Sequence, residues 1–295
     1  MAALILALNP SIDAEWRVAD VVWEEKNNVQ SERRWAGGKG INVARWLKHL
    51  GGKPKLLLPL GGQSGQELTG YLRREKISAL MVPLREATRV NVIVSTEAGR
   101  QIRFNPFGPT VAPQEWRKLL KNFTAQLASA NLLVLSGSLP RGLPNNVYAG
   151  LIHLAHRSGV RTLLDCDGAP FVAALGAHPY LVKPNDHELA LWWGKPLRNE
   201  AAIVRATQAL SRKTRGWVFV SRGGQRSLLV NVAVGFQQFA APQRVQPRNT
   251  VGAGDALLAA VARQIQLGKS PAEWLDRGLA TGTQATQLVA GELPD

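Results

Sequence analysis

Short apolar runs alternate with amphipathic stretches along most of the chain. Met1 to Leu8, Lys55 to Leu60, Leu132 to Leu135, Arg161 to Asp165, Tyr180 to Lys183 and Gly216 to Val220 are nearly continuous apolar runs ended by polar or glycine residues. Their length and boundaries predict strands buried on both faces. Between them, 65–76, 116–127, 146–158 and 201–212 carry helical periodicity. Strand and helix in turn predict an α/β fold, a largely parallel sheet with helices on both faces. Two stretches break the rhythm. Residues 14 to 35 mix Val, Trp and charge without a helical period, so Trp16-Arg17-Val18 and Val21-Val22-Trp23 are predicted as short strands; Arg89 to Val94 and Gln101 to Phe104 form a strand pair about the turn Glu97-Ala98-Gly99. No internal repeat or low-complexity segment interrupts the chain.

Glycine-rich turns at strand ends add chemistry to this pattern. Asn249-Thr250-Val251-Gly252-Ala253-Gly254-Asp255 runs straight into the helix former Ala256-Leu257-Leu258-Ala259-Ala260. Glycines let backbone approach a ligand closely, and a helix's first turn offers unpaired N–H groups and positive dipole, so an anion fits there. A carboxylate in an anion site is explained if Asp255 takes a proton from a hydroxyl that attacks phosphorus; the plainer alternative is an N-cap in which Asp255 favours the helix dipole. Trp35-Ala36-Gly37-Gly38-Lys39-Gly40-Ile41-Asn42 opens a second helix the same way, with Lys39 and Asn42 facing a ligand. It is not a Walker A loop, because no Ser or Thr follows Gly-Lys at the required place. Asn9-Pro10-Ser11-Ile12-Asp13 closes the first strand at the sheet edge where ligands of open α/β folds sit, so Asp13 either caps a turn or accepts two sugar hydroxyls. Ser136-Gly137-Ser138 ends another strand at that edge. Asn185 and Glu188, three apart at a helix start, offer two oxygens to magnesium or form a capping pair. Ser221-Arg222-Gly223-Gly224 is a turn suited to nucleotide phosphates.

Composition narrows the classes. The 295 residues are 45% hydrophobic and no apolar run approaches the roughly 18 residues of a membrane span. One cysteine, Cys166, excludes an intrachain disulfide framework and fits a reducing cytoplasm. The five histidines show no metal-ligand spacing. A net charge of +15 admits nucleic acid or an anionic small molecule. The basic residues are scattered rather than gathered on one helix, which favours a phosphorylated small molecule over specific nucleic-acid binding.

Together, Ala36 to Ala44 and Asn249 to Asp255 resemble the two signatures of the ribokinase-like (PfkB) carbohydrate kinases. Asn9 to Asp13, Thr88-Arg89-Val90-Asn91, Ser136 to Pro140 and Lys183-Pro184-Asn185 resemble its phosphosugar branch, which contains the minor 6-phosphofructokinases, 1-phosphofructokinases and tagatose-6-phosphate kinases. The resemblance runs from Leu4 to about Gly291. It implies a single ribokinase-like three-layer α/β sandwich with a mostly parallel central sheet and a small β-sheet lid from about 14–35 and 88–105, a lid that often makes a homodimer. It also implies ATP and Mg2+ as cofactors. Asp255 would be the catalytic base, and Gly252, Ala253 and Gly254 the anion hole. Asp13, Gly38 and Asn42 would hold sugar hydroxyls. Lys39, Arg89, Ser138 and Lys26 would hold the phosphate already on the sugar. Lys183, Ser221 and Gly223 would lie at ATP, with Asn185 and Glu188 supporting magnesium. Arg226-Ser227 and Thr281 to Ala285 depart from the family pattern on the nucleotide side. The expected reaction is phosphorylation of a ketohexose phosphate, fructose 6-phosphate first, with fructose 1-phosphate and tagatose 6-phosphate as alternatives. Arg103-Phe104 before Gly108-Pro109 leans toward fructose 6-phosphate, and Lys39 and Asn249 toward the other two. The rival of another class is a non-catalytic sugar-phosphate sensor.

Overall fold

The computed structural model describes residues 2–294. Strand β1 (Ala2–Leu6) joins β4 (Pro54–Leu60), β5 (Ala79–Pro83), β8 (Ala130–Ser136), β9 (Arg161–Asp165), β10 (Leu181–Val182), β11 (Trp217–Val220), β12 (Ser227–Asn231) and β13 (Phe236–Ala240) in a nine-stranded sheet, where it lies between β8 and β4. The order is β13-β12-β11-β10-β9-β8-β1-β4-β5, parallel from β5 to β11 and antiparallel for the last two strands. Side chains alternate between the faces and both faces are covered, which is why the interior strands read as nearly continuous apolar runs such as Leu56-Leu57-Leu58 and Leu132 to Leu135. Ala3 and Ile5 of β1 belong to one core, with Leu56 and Leu58 of β4; Leu4 and Leu6 belong to the other, with Leu57.

The first face is covered by α1 (Lys39–His49), α2 (Gly62–Arg74), α8 (Ala253–Gln266) and α9 (Pro271–Thr286). The second is covered by α3 (Pro113–Leu127), α4 (Val147–Arg157), α5 (Gly168–Ala174), α6 (Asp186–Trp193) and α7 (Glu200–Thr214). No helix among the described residues is long and apolar enough to cross a membrane.

A four-stranded lid, ordered β3-β2-β6-β7, is built from β2 (Ser11–Val18), β3 (Ser31–Gly37), β6 (Arg89–Thr96) and β7 (Gln101–Phe104). Its register sets Ser11 opposite Gly37 and Arg89, and Asp13 opposite Trp35 and Asn91. The lid is tied to the body behind it. Arg45 of α1 donates to Gly291 O at 2.7 Å and to Glu75 at 2.7 Å. Arg33 of β3 pairs with Glu292 at 3.0 Å. A side chain at Gly291 would strike the Trp35 ring, 2.7 Å away.

Two differences from the sequence expectation are instructive. Val21-Val22-Trp23 is not a strand. It lies in the β2–β3 connection, where the Asn27 side chain takes both the amide and the carbonyl of Val22 at 2.8 Å and closes a turn, leaving Trp23 77% exposed. Helix α9 has an N-terminal signal, Ser270 with Pro271 and Glu273 in a capping box. Gly278 and Gly282 weaken its interior pattern. Both lie against α8, where added Cβ atoms would stand 3.0 Å from Val261 and 3.2 Å from Ala253 O, so tight helix packing sets aside the usual helix propensity.

Candidate active site

Strand ends β1, β8, β9 and β10, the N-termini of α1 and α8, and the inner face of the lid converge at the carboxyl edge of the sheet. Gly252, the N-cap of α8, takes the left-handed conformation at φ 80°, which a Cβ disfavours. Its carbonyl accepts from Asp255 N at 3.1 Å and Ala256 N at 2.9 Å. Among the described residues the amides of Gly252, Ala253 and Gly254 have no acceptor, which leaves them available to an anion. Lys183, buried beyond the end of β10, brings its Nζ to 3.3 Å of the point where a Gly254 Cβ would stand, so a larger residue there would press on the ammonium.

Asp255 is 5% exposed and accepts a hydrogen bond from Asn42 Nδ2 at 2.8 Å. Burial, and next the negative charge of Asp165, push its carboxyl up to about 7, against the pull of Lys39, Asn42 and Lys183. A carboxylate so poised accepts a proton near neutral pH. Asp165, the last residue of β9, meets Lys39 Nζ at 3.2 Å through Oδ1 and Lys183 Nζ at 3.4 Å through Oδ2. Burial works to raise the Asp165 carboxyl, and Lys183 and then Lys39 overcome it and hold it below the ordinary carboxylate range. The Lys39 ammonium is raised in turn, chiefly by Asp165.

On the lid side, Asp13 Oδ1 accepts from Ser11 Oγ and Asn91 Nδ2, each at 2.8 Å. Burial raises the Asp13 carboxyl against those two bonds and the Arg89 charge. A Cβ at Gly37 would collide with this carboxylate. Arg89, at the start of β6, is fixed by two distant backbone carbonyls, donating to Asn9 O after β1 and Pro106 O after β7 at 2.9 Å each. Ser138 Oγ accepts from Asn9 Nδ2 at 3.0 Å. Gly38, Lys39, Arg89, Asn91 and Ser138 line one cavity of about 180 Å³. A neighbouring cavity of about 670 Å³ shares Ser138 and Asp167 with it and extends to Asn185 and Glu188.

The structure thus gathers Asp255, Gly252, Ala253, Gly254, Asn42 and Lys183 at one end of the cleft and Asp13, Gly38, Arg89 and Ser138 at the other, with Lys39 between them, lining the smaller cavity and pairing with Asp165. The remaining expected residues lie outside this cluster. Lys26 lies exposed in the β2–β3 connection and does not line the cleft. Ser221 uses its amide on Pro184 O and its carbonyl on Asp186 N, at 3.1 Å each, so its backbone braces the start of α6. Gly223, at φ 55°, turns in open space. Asn185 and Glu188 form the capping pair: Asn185 Oδ1 accepts from Glu188 N at 2.8 Å and Glu188 Oε2 from Asn185 N at 2.9 Å. Among the described residues no group of three or more His, Cys, Asp or Glu is arranged to hold a metal. Asp165 was not anticipated as a site residue. The argument that singled out Asp13, a carboxylate ending a strand at the sheet's carboxyl edge, applies to it equally.

The profile of the pfkB family carbohydrate kinases matches residues 7–292. The chain belongs to the pfkB family. It is therefore a carbohydrate kinase, a phosphotransferase of the phosphofructokinase type. It is 33% identical to the ATP-dependent 6-phosphofructokinase isozyme 2 of Escherichia coli over 95% of this chain and 91% of that protein. It is also 33% identical to a 1-phosphofructokinase of Xanthomonas campestris pv. campestris over 99% and 92%. The solved tetrameric inhibited form of phosphofructokinase-2 from Escherichia coli superposes with a TM-score of 0.89 at 32% identity, over 97% of this chain and 93% of that one. The ribokinase-like fold of this family accounts for the large sheet, the helical layers and the separate lid.

Proposed function

We propose that this pfkB kinase transfers the terminal phosphoryl group of ATP to a free hydroxyl of a ketohexose phosphate, fructose 6-phosphate first, to give fructose 1,6-bisphosphate. The observation that carries the reading is Asp255: a buried carboxyl raised to about 7, held by Asn42 beside the free amides of the α8 turn. In this role it removes or orients the proton of the attacking hydroxyl. The amides of Gly252, Ala253 and Gly254, with Lys183, receive the charge of the transferring group. Asp13, Gly38 and Asn42 hold the sugar; Arg89, Ser138 and Lys39 hold its existing phosphate.

Magnesium, when bound, neutralises phosphate charge. The capping pair commits Asn185 Oδ1 and Glu188 Oε2 to backbone amides and leaves Glu188 Oε1, which fits an ion that keeps most of its waters and takes other oxygens from phosphate. Ser221 and Gly223 border the nucleotide in the same reading.

A second reading, fructose 1-phosphate, is favoured by one observation. Lys39 lines the cleft, whereas Arg103 and Phe104 lie on the exposed edge strand β7, outside it. Both substrates give the same bisphosphate. A coupled assay of ADP release with fructose 6-phosphate, fructose 1-phosphate and tagatose 6-phosphate decides among them. The expected outcome is the highest kcat/KM with fructose 6-phosphate. A tenfold preference for either alternative, about 1.4 kcal/mol, reassigns the substrate, and binding without ADP release on all three makes the protein a sugar-phosphate sensor.

Exposed Val22, Trp23, Val29 and Phe104 in and beside the lid support a homodimer formed through it. Light scattering at micromolar concentration should read twice the chain mass, 32.0 kDa each. The single cysteine is buried, in keeping with a reducing cytoplasm.

A further inference from the structure

We infer that Asp165 is a positioning residue of this site: its carboxylate holds the Lys39 and Lys183 ammoniums along the cleft, one facing each oxygen, and so keeps them from pairing with Asp255. Three elements meet in this clamp. Asp165 ends β9, Lys39 is the first residue of α1, and Lys183 follows β10. Asp165 is 2% exposed, and its two oxygens each face a different ammonium, at 3.2 and 3.4 Å. A carboxylate so far from water is tolerable only when paired, and Lys183, buried with it, needs a carboxylate in turn, whereas Lys39 keeps part of its side chain in solvent. With Asp165 neutral, Asp255 becomes the buried carboxylate left to the two ammoniums, and an ion pair with either would make it a poorer base.

The surrounding charges agree with this division. Asp165 acts on Asp255 to raise it, whereas Lys39 and Lys183 act to lower it. Asp255, then Glu188 and Asp167, also act on Lys39, each more weakly than Asp165. Cys166 and Tyr148, both close to Asp165, are raised by burial and stay neutral near pH 7. The geometry therefore predicts shifts of opposite sign. Removing the Asp165 charge takes a like charge from Asp255 and frees two opposite ones, so Asp255 should become more acidic. Removing the Lys39 charge should make Asp255 less acidic.

The proposal rests on the kinase reading only in naming Asp255 the base, and the test separates the two. Asp165→Asn and Lys39→Met are compared with wild type by kcat/KM for the phosphosugar from pH 6 to pH 9. The ratio of Asp165→Asn to wild type should be about tenfold higher at pH 6 than at pH 9, and the ratio for Lys39→Met should change in the other direction. A residue that merely holds the fold together would lower kcat/KM by one factor at every pH, and parallel profiles overturn the proposal. A carbon-detected NMR titration of the Asp255 carboxyl, without substrate, reads the same shifts. If wild type turns over none of the phosphosugars, the kinase reading fails, and this titration still decides the clamp. If Asp165→Asn does not fold by circular dichroism, the Lys39→Met titration stands alone, and an unmoved Asp255 midpoint there refutes the proposal.

Discussion

The N-terminal turns of α1 and α8 use one backbone device for opposite electrostatic ends. Each begins at a glycine with positive φ, Gly38 at 98° and Gly252 at 80°, and neither has a side-chain cap. Each glycine carbonyl accepts from two later amides, Ile41 and Asn42 in α1, Asp255 and Ala256 in α8. The charges placed on them differ. The first residue of α1 is Lys39, a cation where the helix dipole disfavours one; the third residue of α8 is Asp255, an anion where the dipole favours one. Dipole alone would make Lys39 more acidic and Asp255 a stronger acid. Both groups go the other way, Lys39 because of Asp165 and Asp255 because of burial and Asp165. Direct side-chain neighbours in a dry cleft therefore outweigh the helix ends that present them. The two turns are also joined: Asn42 of α1 donates to Asp255 of α8 across 213 residues of sequence.

The sharpest way to break the comparison is Asp255→Asn, which keeps the shape of the α8 turn and removes its base. Turnover should fall by roughly 10²–10⁴, with phosphosugar affinity by calorimetry near the wild-type value. A variant that retains more than a tenth of the wild-type rate would take Asp255 out of the role. On the α1 side and its lid neighbour, Lys39→Ala and Arg89→Ala should each raise the phosphosugar KM by roughly tenfold to a hundredfold, since charge-assisted contacts to phosphate are worth about 1.5–3 kcal/mol, and should raise the KM for ATP much less. Equal changes in both constants would remove these cations from the phosphate handle.

The pH response follows from the raised Asp255. Activity should lose about tenfold per unit on the acid side of a limb near pH 7, where the base becomes protonated. Stability moves the other way. A carboxyl that holds its proton more tightly folded than unfolded contributes stability that is complete below its unfolded value and is lost as pH rises through about 7. Asp255→Asn should therefore gain melting temperature relative to wild type, more at pH 8 than at pH 5; a gain independent of pH would contradict the assignment. The smallest expected effect is Gly252→Ala, whose left-handed conformation costs a Cβ about 1–2 kcal/mol. It should lower the melting temperature by a few degrees, and an unchanged value would mean that the turn relaxes freely.

Much of this was legible in the chain itself. The apolar runs at Leu4 to Leu8, Leu132 to Leu135 and Trp217 to Val220 could be stable only between two helical layers, because no polar position offers them a wet face, and so the parallel sheet followed. The glycine turns before Ile41 and Ala256 marked two helix starts, because glycine with positive φ is a local property of the backbone. Val21 to Trp23 failed as a strand for the complementary reason: β structure needs a partner, and composition does not say whether one is near. Tertiary structure alone decided what the charged residues do. Lys39, Asp165, Lys183 and Asp255 are scattered from α1 to α8, and whether an ammonium binds phosphate or pairs with a carboxylate depends on distances of a few ångströms in a site shielded from water. Those distances come from the crossing of β9, β10, α1 and α8 at the carboxyl edge of the sheet. A chain read residue by residue holds the charges; only their burial together makes one carboxylate a counter-ion and the other a base.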